Sequence, residues 1–321
     1  MLRAIVIDTP GGPDAMRVRQ VSPRRPGPGE VLVDVSACGV NFIDVYHRTG
    51  RYPVDTPFTP GLEGAGTVAE VGEDVTDLAV GDLVAWFQVM GSYADQVVAP
   101  ADALIRVPQG VTARLAAAVL LQGVTAHYLS HSTHEVRPGD RVLIHAAAGG
   151  VGLLLTQLVK HRGGWVAATV STPEKAELAR DAGADEVLEY AGFAERVRDL
   201  TDGRGVDVVY DGVGADTYEG SLAALSRRGL LALFGQSSGP VPPIDPQVLA
   251  RHGSLFLTRP TSGDYVATTE EFRSRSGELF ALVADGTLSV RIGAEYELPD
   301  AARAHRDLEE RRTTGKLLLL P

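Results

Sequence analysis

Short runs that alternate hydrophobic and polar positions fill the first part of the chain. Four such runs are Ala4–Ile7, Val31–Val35, Ala65–Val71 and Leu83–Trp86, and turns rich in glycine and proline separate them. Alternation with a period of two predicts half-buried β-strands. We therefore expect residues 1–121 to form a β-rich domain.

The pattern changes after residue 121, where strand-like apolar runs begin to alternate with segments of helical periodicity. Such alternation is typical of a doubly wound parallel sheet, so we expect an α/β domain over residues 122–265. The remaining segment, 266–321, is expected to complete the first domain, with a helix over Thr269–Ala284 and a final strand over 316–320. The predicted strands of the α/β domain are 142–145, 165–170, 186–188, 206–211, 230–234 and 254–258, and its predicted helices are 150–162, 173–182, 192–202 and 216–227.

A glycine-rich turn joins the first strand of the α/β domain to a helix. The segment Arg141–Gly152 reads RVLIHAAAGGVG, with the spacing Ala147-x-Gly149-x-x-Gly152. Residues without bulk let backbone N–H groups approach a pyrophosphate, and the helix N-terminus adds favourable partial charge. A purely structural turn is the alternative, but the strand before it and the helix after it favour dinucleotide binding.

The next strand ends without the carboxylate that an NAD site usually places there. It is followed by Ser171, Thr172, Pro173, Glu174 and Lys175. Two hydroxyls and a lysine suit a 2′-phosphate, which favours NADPH over NADH, whereas Glu174 would oppose a phosphate. The same segment has the pattern of a helix start, with Thr172 as N-cap and Pro173 in the first turn, and both interpretations can hold together.

Composition limits the function classes further. The net charge of −11 and the absence of a basic patch argue against nucleic acid as a partner. No apolar stretch reaches membrane-spanning length, and no signal peptide is evident, so we expect a cytoplasmic protein with no membrane association. The single cysteine, Cys38, excludes an internal disulfide and a four-cysteine zinc site.

Two residue types are scarce in this chain. Asparagine occurs only at position 41, and lysine occurs only at positions 160, 175 and 316. A depleted residue type that persists at a position indicates a specific need there. This scarcity directs attention to Asn41, Lys175 and Lys316.

Five motifs occur in a fixed order along the chain. They are Ser36–Asp44 (SACGVNFID), Pro60–Val68 (PGLEGAGTV), Gly81–Val84 (GDLV), His145–Gly152 (HAAAGGVG) and Thr314–Pro321 (TGKLLLLP). Together they resemble the medium-chain dehydrogenase/reductase superfamily, and within it the chain is similar to the zinc-free NADPH:quinone oxidoreductases related to zeta-crystallin. The resemblance implies a GroES-like β-rich catalytic domain plus a Rossmann domain, NADPH as cofactor, and a homodimer in which Gly253–Thr258 could be the pairing edge strand.

The chain departs from the zinc-dependent alcohol dehydrogenases of that superfamily at the metal site. Those enzymes hold a catalytic zinc with a cysteine, a histidine and an acidic residue. By resemblance, Asn41 stands at the cysteine position, Leu62 at the histidine position, and Glu63 alone remains. Since neither an amide nor a leucine replaces a thiolate or an imidazole, we expect no metal.

The resemblance also assigns site residues. Asn41, Tyr46 and Tyr52 would face the nicotinamide and the substrate, with an Asx turn as the alternative role for Asn41 and ordinary half-buried packing for the tyrosines. Thr125 could instead bond its own helix backbone, and Lys316, expected to reach the adenosine phosphate, could instead be a solvated charge at a strand start. The implied cofactor-binding residues are Asn41, Thr125, Gly149, Gly150, Val151, Gly152, Ser171, Lys175, Tyr190, Phe234, Gly235, Ser237 and Lys316.

Three functions remain open from the sequence. The first is NADPH-dependent reduction of a quinone, which needs no metal or strong acid because the hydroquinone anion that forms is a weak base. The second is reduction of the double bond of an enal or enone, and the third is a mainly noncatalytic NADPH-binding role. The expected partner is a small quinone or conjugated carbonyl, and the histidines lack the spacing and partners of catalytic or metal-binding residues.

Overall fold

The computed structural model describes residues 1–321 and divides into two compact units. One unit comprises residues 1–121 and 272–321, and the other comprises residues 122–271. The strands are β1 (Leu2–Ile7), β2 (Met16–Val21), β3 (Glu30–Val40), β4 (Glu63–Val71), β5 (Leu83–Trp86), β6 (Gln96–Pro100), β7 (Ile105–Arg106), β8 (Arg141–Ile144), β9 (Trp165–Thr169), β10 (Glu186–Leu188), β11 (Val206–Asp211), β12 (Leu225–Leu233), β13 (Phe256–Thr258), β14 (Ile292–Glu297) and β15 (Lys316–Leu320).

Ten α-helices accompany these strands. A π-helical turn over Leu129–Thr133 follows the second of them. None of the helices combines the length and the hydropathy that a membrane-spanning helix requires. The helices are α1 (Phe42–Arg48), α2 (Ala113–Tyr128), α3 (Gly150–His161), α4 (Pro173–Asp181), α5 (Phe193–Leu200), α6 (Tyr218–Ala224), α7 (Pro246–Arg251), α8 (Ser262–Tyr265), α9 (Thr269–Ala284) and α10 (Ala301–Glu309).

The first unit is built on a seven-stranded sheet. Its order is β14-β15-β3-β4-β5-β7, and β6 pairs with the first half of β3, while β1 and β2 form a separate hairpin. Strand β3 is antiparallel to both β4 and β15, so the end of β3 lies beside the start of each of them. The core between these strands includes the fully buried side chains of Trp86 and Tyr93.

The second unit is a six-stranded parallel sheet in the order β10-β9-β8-β11-β12-β13. The strand order reverses between β8 and β11, because the chain adds strands on one side of β8 and then on the other. In such folds this switch point is where ligands bind, at the carboxyl ends of the strands. The central residues of β8 (142–144) and β11 (208–210) are hydrophobic and buried, as expected of strands covered on both faces. The predicted combination of a β-rich unit and a doubly wound parallel-sheet unit is confirmed.

Several boundaries differ from the sequence-based expectation, and two of them have a clear structural reason. The helix expected over 216–227 ends at Ala224, because Leu225 already pairs with Val206 and belongs to β12. The compact unit expected to end at residue 265 continues to residue 271, inside helix α9, because the remainder of that helix packs with the first unit. Helical periodicity continues through Thr269–Ala284, so it carries no signal of that division.

Candidate active site

The glycine turn after β8 has the geometry of a backbone cradle. Helix α3 begins at Gly150, and its N-cap Gly149 is extended and offers no capping side chain. A Cβ on Gly152 would lie 2.4 Å from the carbonyl oxygen of Ala146, so only glycine fits there. Ala146 has a positive φ of 51°, and its N–H donates to the hydroxyl of Tyr190 at 3.1 Å. The turn thus presents the open end of a 12-residue helix, with Tyr190 beside it.

Ser171 and Lys175, two of the three residues predicted to surround a 2′-phosphate, lie together just after β9, whereas the third, Tyr190, lies beside the glycine turn. Lys175 Nζ donates to Ser171 Oγ at 3.3 Å, and Thr172 Oγ1 accepts the backbone N–H of Lys175 at 3.3 Å. Thr172 is therefore the N-cap of α4, as its pattern predicted, and Lys175 still reaches the serine. The Glu174 side chain is exposed, and hydrogen bonds to its own backbone N–H and to Thr172 lower the pKa of its carboxyl.

A buried polar network, which sequence reasoning missed, lies at the carboxyl ends of β8 and β11. His145 Nε2 bonds Ser221 Oγ at 3.0 Å, and Ser221 Oγ donates to Asp211 Oδ2 at 2.9 Å. Asp211 Oδ1 accepts the N–H groups of Val213 and Gly214, so the carboxylate shapes the turn after β11. Burial lowers the pKa of His145, and both of its ring nitrogens are hydrogen-bonded, to Thr169 Oγ1 and Ser221 Oγ.

The later candidate residues of this unit lie around the same turn. Strand β12 ends beside Phe234, whose ring covers Gly212 closely enough that a Cβ there would lie 2.9 Å from the Phe234 ring. A Cβ on Gly235 would lie 2.6 Å from the Gly212 carbonyl oxygen, and the Ser237 N–H donates to that oxygen at 3.2 Å. Thr125 lies on α2, where its side chain is buried and hydrogen-bonded to Tyr128.

In the first unit, three segments that are distant in sequence meet where the end of β3 lies beside the starts of β4 and β15. Asn41 directly follows β3, Glu63 begins β4 and Lys316 begins β15. Lys316 Nζ donates to Glu63 Oε2 at 2.5 Å and to Asn41 Oδ1 at 2.8 Å. Asn41 Nδ2 donates to Glu63 Oε2 at 3.0 Å. This triad is almost completely buried, with exposed fractions of 5% for Asn41, 0% for Glu63 and 2% for Lys316.

The triad corrects two expectations. Lys316 is neither a solvated charge nor placed to reach an adenosine phosphate, because its ammonium is sealed against Glu63 and Asn41. Asn41 is not placed to donate to a substrate oxygen, since both hydrogens of its amide are directed at Glu63 and the carbonyl oxygen of Gly39. The backbone N–H of Asn41 donates to Asp44 Oδ2 at 2.9 Å, and this hydrogen bond stabilises the start of α1.

Tyr46 and Tyr52, which the resemblance assigns to the nicotinamide and substrate side, lie in contact with each other. Their ring centroids are 5.2 Å apart in an edge-to-face arrangement, and the Tyr52 N–H donates to the Tyr46 carbonyl oxygen at 3.0 Å. The Arg51 guanidinium covers the Tyr46 ring at 5.0 Å from its centroid. Tyr46 is buried and Tyr52 is partly exposed, so Tyr52 is the more accessible of the two rings.

A second buried polar cluster, also missed from the sequence, extends from α1 to α10. Tyr93 OH donates to Asp44 Oδ2 at 3.0 Å and bonds His305 Nε2 at 3.1 Å, while Arg48 forms an ion pair with Glu309. Burial raises the pKa of Asp44 to about 7 and, together with the nearby Arg48 charge, lowers the pKa of His305 to about 3. The only sequence signal was the position of Asp44, three residues after an N-cap.

The residues around Glu63 do not fit a zinc ion. Zinc is held by thiolate, imidazole and carboxylate groups, whereas Glu63 Oε2 already accepts an ammonium and an amide N–H. A metal cation there would meet the positive charge of Lys316 at hydrogen-bond distance from its only carboxylate. No cluster of three histidine, cysteine, aspartate or glutamate side chains elsewhere has metal-binding geometry.

Two family models match the chain. The model described as an alcohol dehydrogenase GroES-like domain matches residues 27–109, and the model described as a zinc-binding dehydrogenase matches residues 150–273. The zinc in the second description has no counterpart in the donor set around Glu63. The order of the two matched domains agrees with the two units of the structure.

Three relatives cover the full length. The quinone oxidoreductase of Pseudomonas aeruginosa is 45% identical and is matched over 100% of both chains. A 2-haloacrylate reductase of a Burkholderia species is 43% identical over 100% of this chain and 99% of its own. A mycobacterial protein solved in complex with NADPH is 50% identical, with a TM-score of 0.97 over 99% of this chain and 100% of that one.

Proposed function

Because the chain belongs to the quinone oxidoreductase family of the medium-chain dehydrogenase/reductase superfamily, we propose that it catalyses the NADPH-dependent reduction of quinones. The observation that carries this proposal is the full-length 45% identity to a quinone oxidoreductase. The glycine turn after β8 and Lys175 in the first turn of α4 supply the matching chemistry in this chain.

The cofactor would be held mainly by the second unit. The open N-terminus of α3 and the close backbone approach at Gly152 suit the pyrophosphate. Ser171 and Lys175 suit a 2′-phosphate, with a charge-assisted bond from the ammonium, and Tyr190 lies beside the glycine turn. The solved mycobacterial relative in complex with NADPH supports this choice of cofactor.

NADPH, when bound, supplies the reducing equivalents, and the protein supplies binding and orientation. We assign Asn41, Tyr46 and Tyr52 to the nicotinamide and substrate side. Asn41 would act by holding the start of α1 in place, because its amide N–H groups and its amide oxygen are all engaged within the protein. Tyr52, as the more accessible ring, would stack on a flat acceptor. The hydroquinone anion formed is a weak base that water can protonate, so the site needs neither a metal nor a strong acid.

A second candidate function has a specific observation in its favour. The 43% identical relative is a 2-haloacrylate reductase, which indicates that this family also includes enzymes acting on an activated double bond. An acceptor with a carbon–carbon double bond conjugated to a carbonyl or carboxylate would use the same cofactor and the same polar residues. We therefore treat double-bond reduction as the alternative activity of the same site.

The decisive experiment compares acceptors and cofactors side by side. NADPH and NADH oxidation are measured with 1,4-benzoquinone, an enone and 2-chloroacrylate, in the presence and absence of a chelator. We expect fast quinone reduction with NADPH that the chelator leaves unchanged. Turnover with the enone or chloroacrylate alone would move the chain to the double-bond reductases, and no turnover with any acceptor despite NADPH binding would favour a noncatalytic role.

A matched pair of lysine variants tests the cofactor assignment. Lys175→Met should raise the KM for NADPH by roughly 10- to 100-fold and leave the KM for NADH unchanged, because one charge-assisted bond to the phosphate is lost. Lys160→Met is the control, since Lys160 lies in the last turn of α3 and pairs with Asp185. Equal effects on NADPH and NADH would contradict the 2′-phosphate assignment.

A homodimer and a cytoplasmic location stay predictions. For the dimer, the support is that β13 forms the edge of the six-stranded sheet and exposes Phe256 by 61% and Leu257 by 37%. An open edge strand with apolar side chains favours pairing with a second copy. Light scattering on the wild type and on Phe256→Asp tests this, because the variant should be monomeric if the edge pairs.

A further inference from the structure

The ammonium of Lys316 is the only lysine charge buried inside this protein. Lysine occurs at three positions, and the other two, Lys160 and Lys175, keep partial exposure. Lys316 Nζ instead lies 2.5 Å from Glu63 Oε2 and 2.8 Å from Asn41 Oδ1, in a region that water does not reach. A buried charge of this kind persists only where its partners satisfy it.

The partners of Asn41 determine which way its amide points. An ammonium only donates hydrogen bonds, and an ionised carboxylate only accepts them. The amide oxygen must therefore face Lys316, and the amide nitrogen must face Glu63 and the carbonyl oxygen of Gly39. A flipped amide would set a donor against the ammonium and an acceptor against both oxygens.

Two further features hold Glu63 in this arrangement. Its Oε1 accepts the backbone N–H of Leu121 at 2.7 Å, so both oxygens of the carboxylate are engaged. Gly39 gives the space, since a Cβ there would lie 2.2 Å from Glu63 Oε2 and 2.7 Å from Lys316 Nζ. The backbone and the side chains are thus both adapted to this ion pair.

We propose that Lys316 is a positioning residue, an internal cation that takes the place of a metal ion at Glu63 and locks the Asn41 amide in one orientation. The lysine does not touch the substrate. It acts through Asn41, whose amide it holds in one orientation at the start of α1, with the oxygen toward Lys316 and the nitrogen toward Glu63. The consequence for catalysis rests on the proposed function, in which Asn41 serves the nicotinamide and the substrate. The orientation of the Asn41 amide does not depend on the proposed function.

The composition of the chain allows a direct test by NMR. Asn41 is the only asparagine, so selective ¹⁵N-asparagine labelling yields one side-chain NH₂ group. In the wild type we expect its two protons to exchange slowly with water and to have well-separated shifts. With ¹⁵N-lysine, one slowly exchanging ammonium signal is expected, from Lys316, because the other two lysines contact solvent.

Lys316→Met and Lys316→Met/Glu63→Gln should both shift the Asn41 NH₂ signals and speed their exchange by at least about tenfold. The double variant removes both buried charges, so it is the form to measure if the single variant does not fold. Lys160→Met should leave the Asn41 signals unchanged, because its pair with Asp185 lies in the other unit. Wild-type shifts and exchange rates in the folded double variant would overturn the proposal.

Kinetics separates this proposal from the proposed function. If Asn41 orients the reacting groups, the double variant should lower kcat for quinone by about tenfold while the dissociation constant of NADPH changes by less than about threefold. A wild type without quinone reductase activity would refute the proposed function and leave the NMR result to decide the role of Lys316. An active wild type with unchanged Asn41 signals in the variant would refute the positioning role alone.

Discussion

The glycine turn after β8 and the Lys316 triad differ in how they are formed, since one depends on the backbone and the other on side chains. The turn is a contiguous segment, Gly149–Gly152, that works through backbone N–H groups and the absence of side chains. The triad gathers residues 41, 63 and 316 from the ends of three strands, and it works through a charge pair and an amide. One site is sensitive to added atoms, and the other is sensitive to lost charge.

A second contrast separates two lysine–carboxylate pairs of similar length. Lys316 Nζ lies 2.5 Å from Glu63, and Lys160 Nζ lies 2.7 Å from Asp185. The first pair is buried, while side-chain exposures in the second are 33% and 31%. Water screens the exposed pair and can replace either partner, whereas nothing replaces a partner in the buried pair. Distance alone therefore does not predict the energetic importance of an ion pair.

The largest expected effect tests the contrast between the buried Lys316–Glu63 pair and the exposed Lys160–Asp185 pair. Lys316→Met should lower the free energy of unfolding by about 3–5 kcal/mol, because it leaves the Glu63 charge buried and unpaired. Lys160→Met should change it by less than about 1 kcal/mol. Urea denaturation of both variants measures the difference. Adding Glu63→Gln to Lys316→Met should recover part of the loss, and equal losses for the two single lysine variants would contradict the contrast.

The next effect tests the glycine turn. Gly152→Ala should weaken NADPH binding on the order of 100-fold, since the new Cβ would collide with the Ala146 carbonyl oxygen and displace the turn. Gly277→Ala is the control, because Gly277 is exposed within α9 and has nothing within 4 Å of an added Cβ. That control should gain roughly 0.5–1 kcal/mol in stability. Binding is followed by cofactor fluorescence, and unchanged affinity in Gly152→Ala would remove the turn from the cofactor site.

The smallest effect concerns pH and the buried cluster of Asp44 and His305. The Asp44 pKa is raised to about 7, so its contribution to stability is present at low pH and is lost as pH rises through that value. The His305 pKa is lowered to about 3, so its contribution is present above about pH 6.5 and is lost as pH falls. Between about pH 4 and 6.5 the folded state holds one proton on Asp44 and the unfolded state holds one on His305, and the two slopes cancel.

Single variants should expose the two opposing slopes. Relative to the wild type, Asp44→Asn should lose stability as pH falls below 6.5, and His305→Gln should lose stability as pH rises from 4 to 7. Each difference should approach about 1.4 kcal/mol per pH unit at most. Urea unfolding from pH 5 to 7 measures both. Difference curves with the same sign would show that the two groups are not the titrating pair.

The parts that sequence reasoning predicted are local in the chain. The strand–glycine–helix unit over 141–161, the N-cap at Thr172 and the helix over Thr269–Ala284 are all present as expected. Each depends on neighbours within a few residues, which turn chemistry and periodicity reveal. The roles assigned to the remaining site residues in cofactor and substrate binding stay predictions.

The expectation for Lys316 was wrong because a charged residue at a strand start has no local signal of burial. Its partners lie 253 and 275 positions away, and only the pairing of β15 with β3 and of β3 with β4 brings them together. The cluster of Asp44, Tyr93 and His305 was missed for the same reason, since these residues come from α1, a loop and α10.

The amino-acid sequence by itself determined the two-unit plan, the parallel sheet and the glycine turn, because backbone propensity and hydrophobic period act over short distances. Only the tertiary structure decided which charges are buried and paired. Burial depends on the packing of strands from distant parts of the chain. A buried lysine such as Lys316 is tolerated only because the fold places a carboxylate, that of Glu63, beside it.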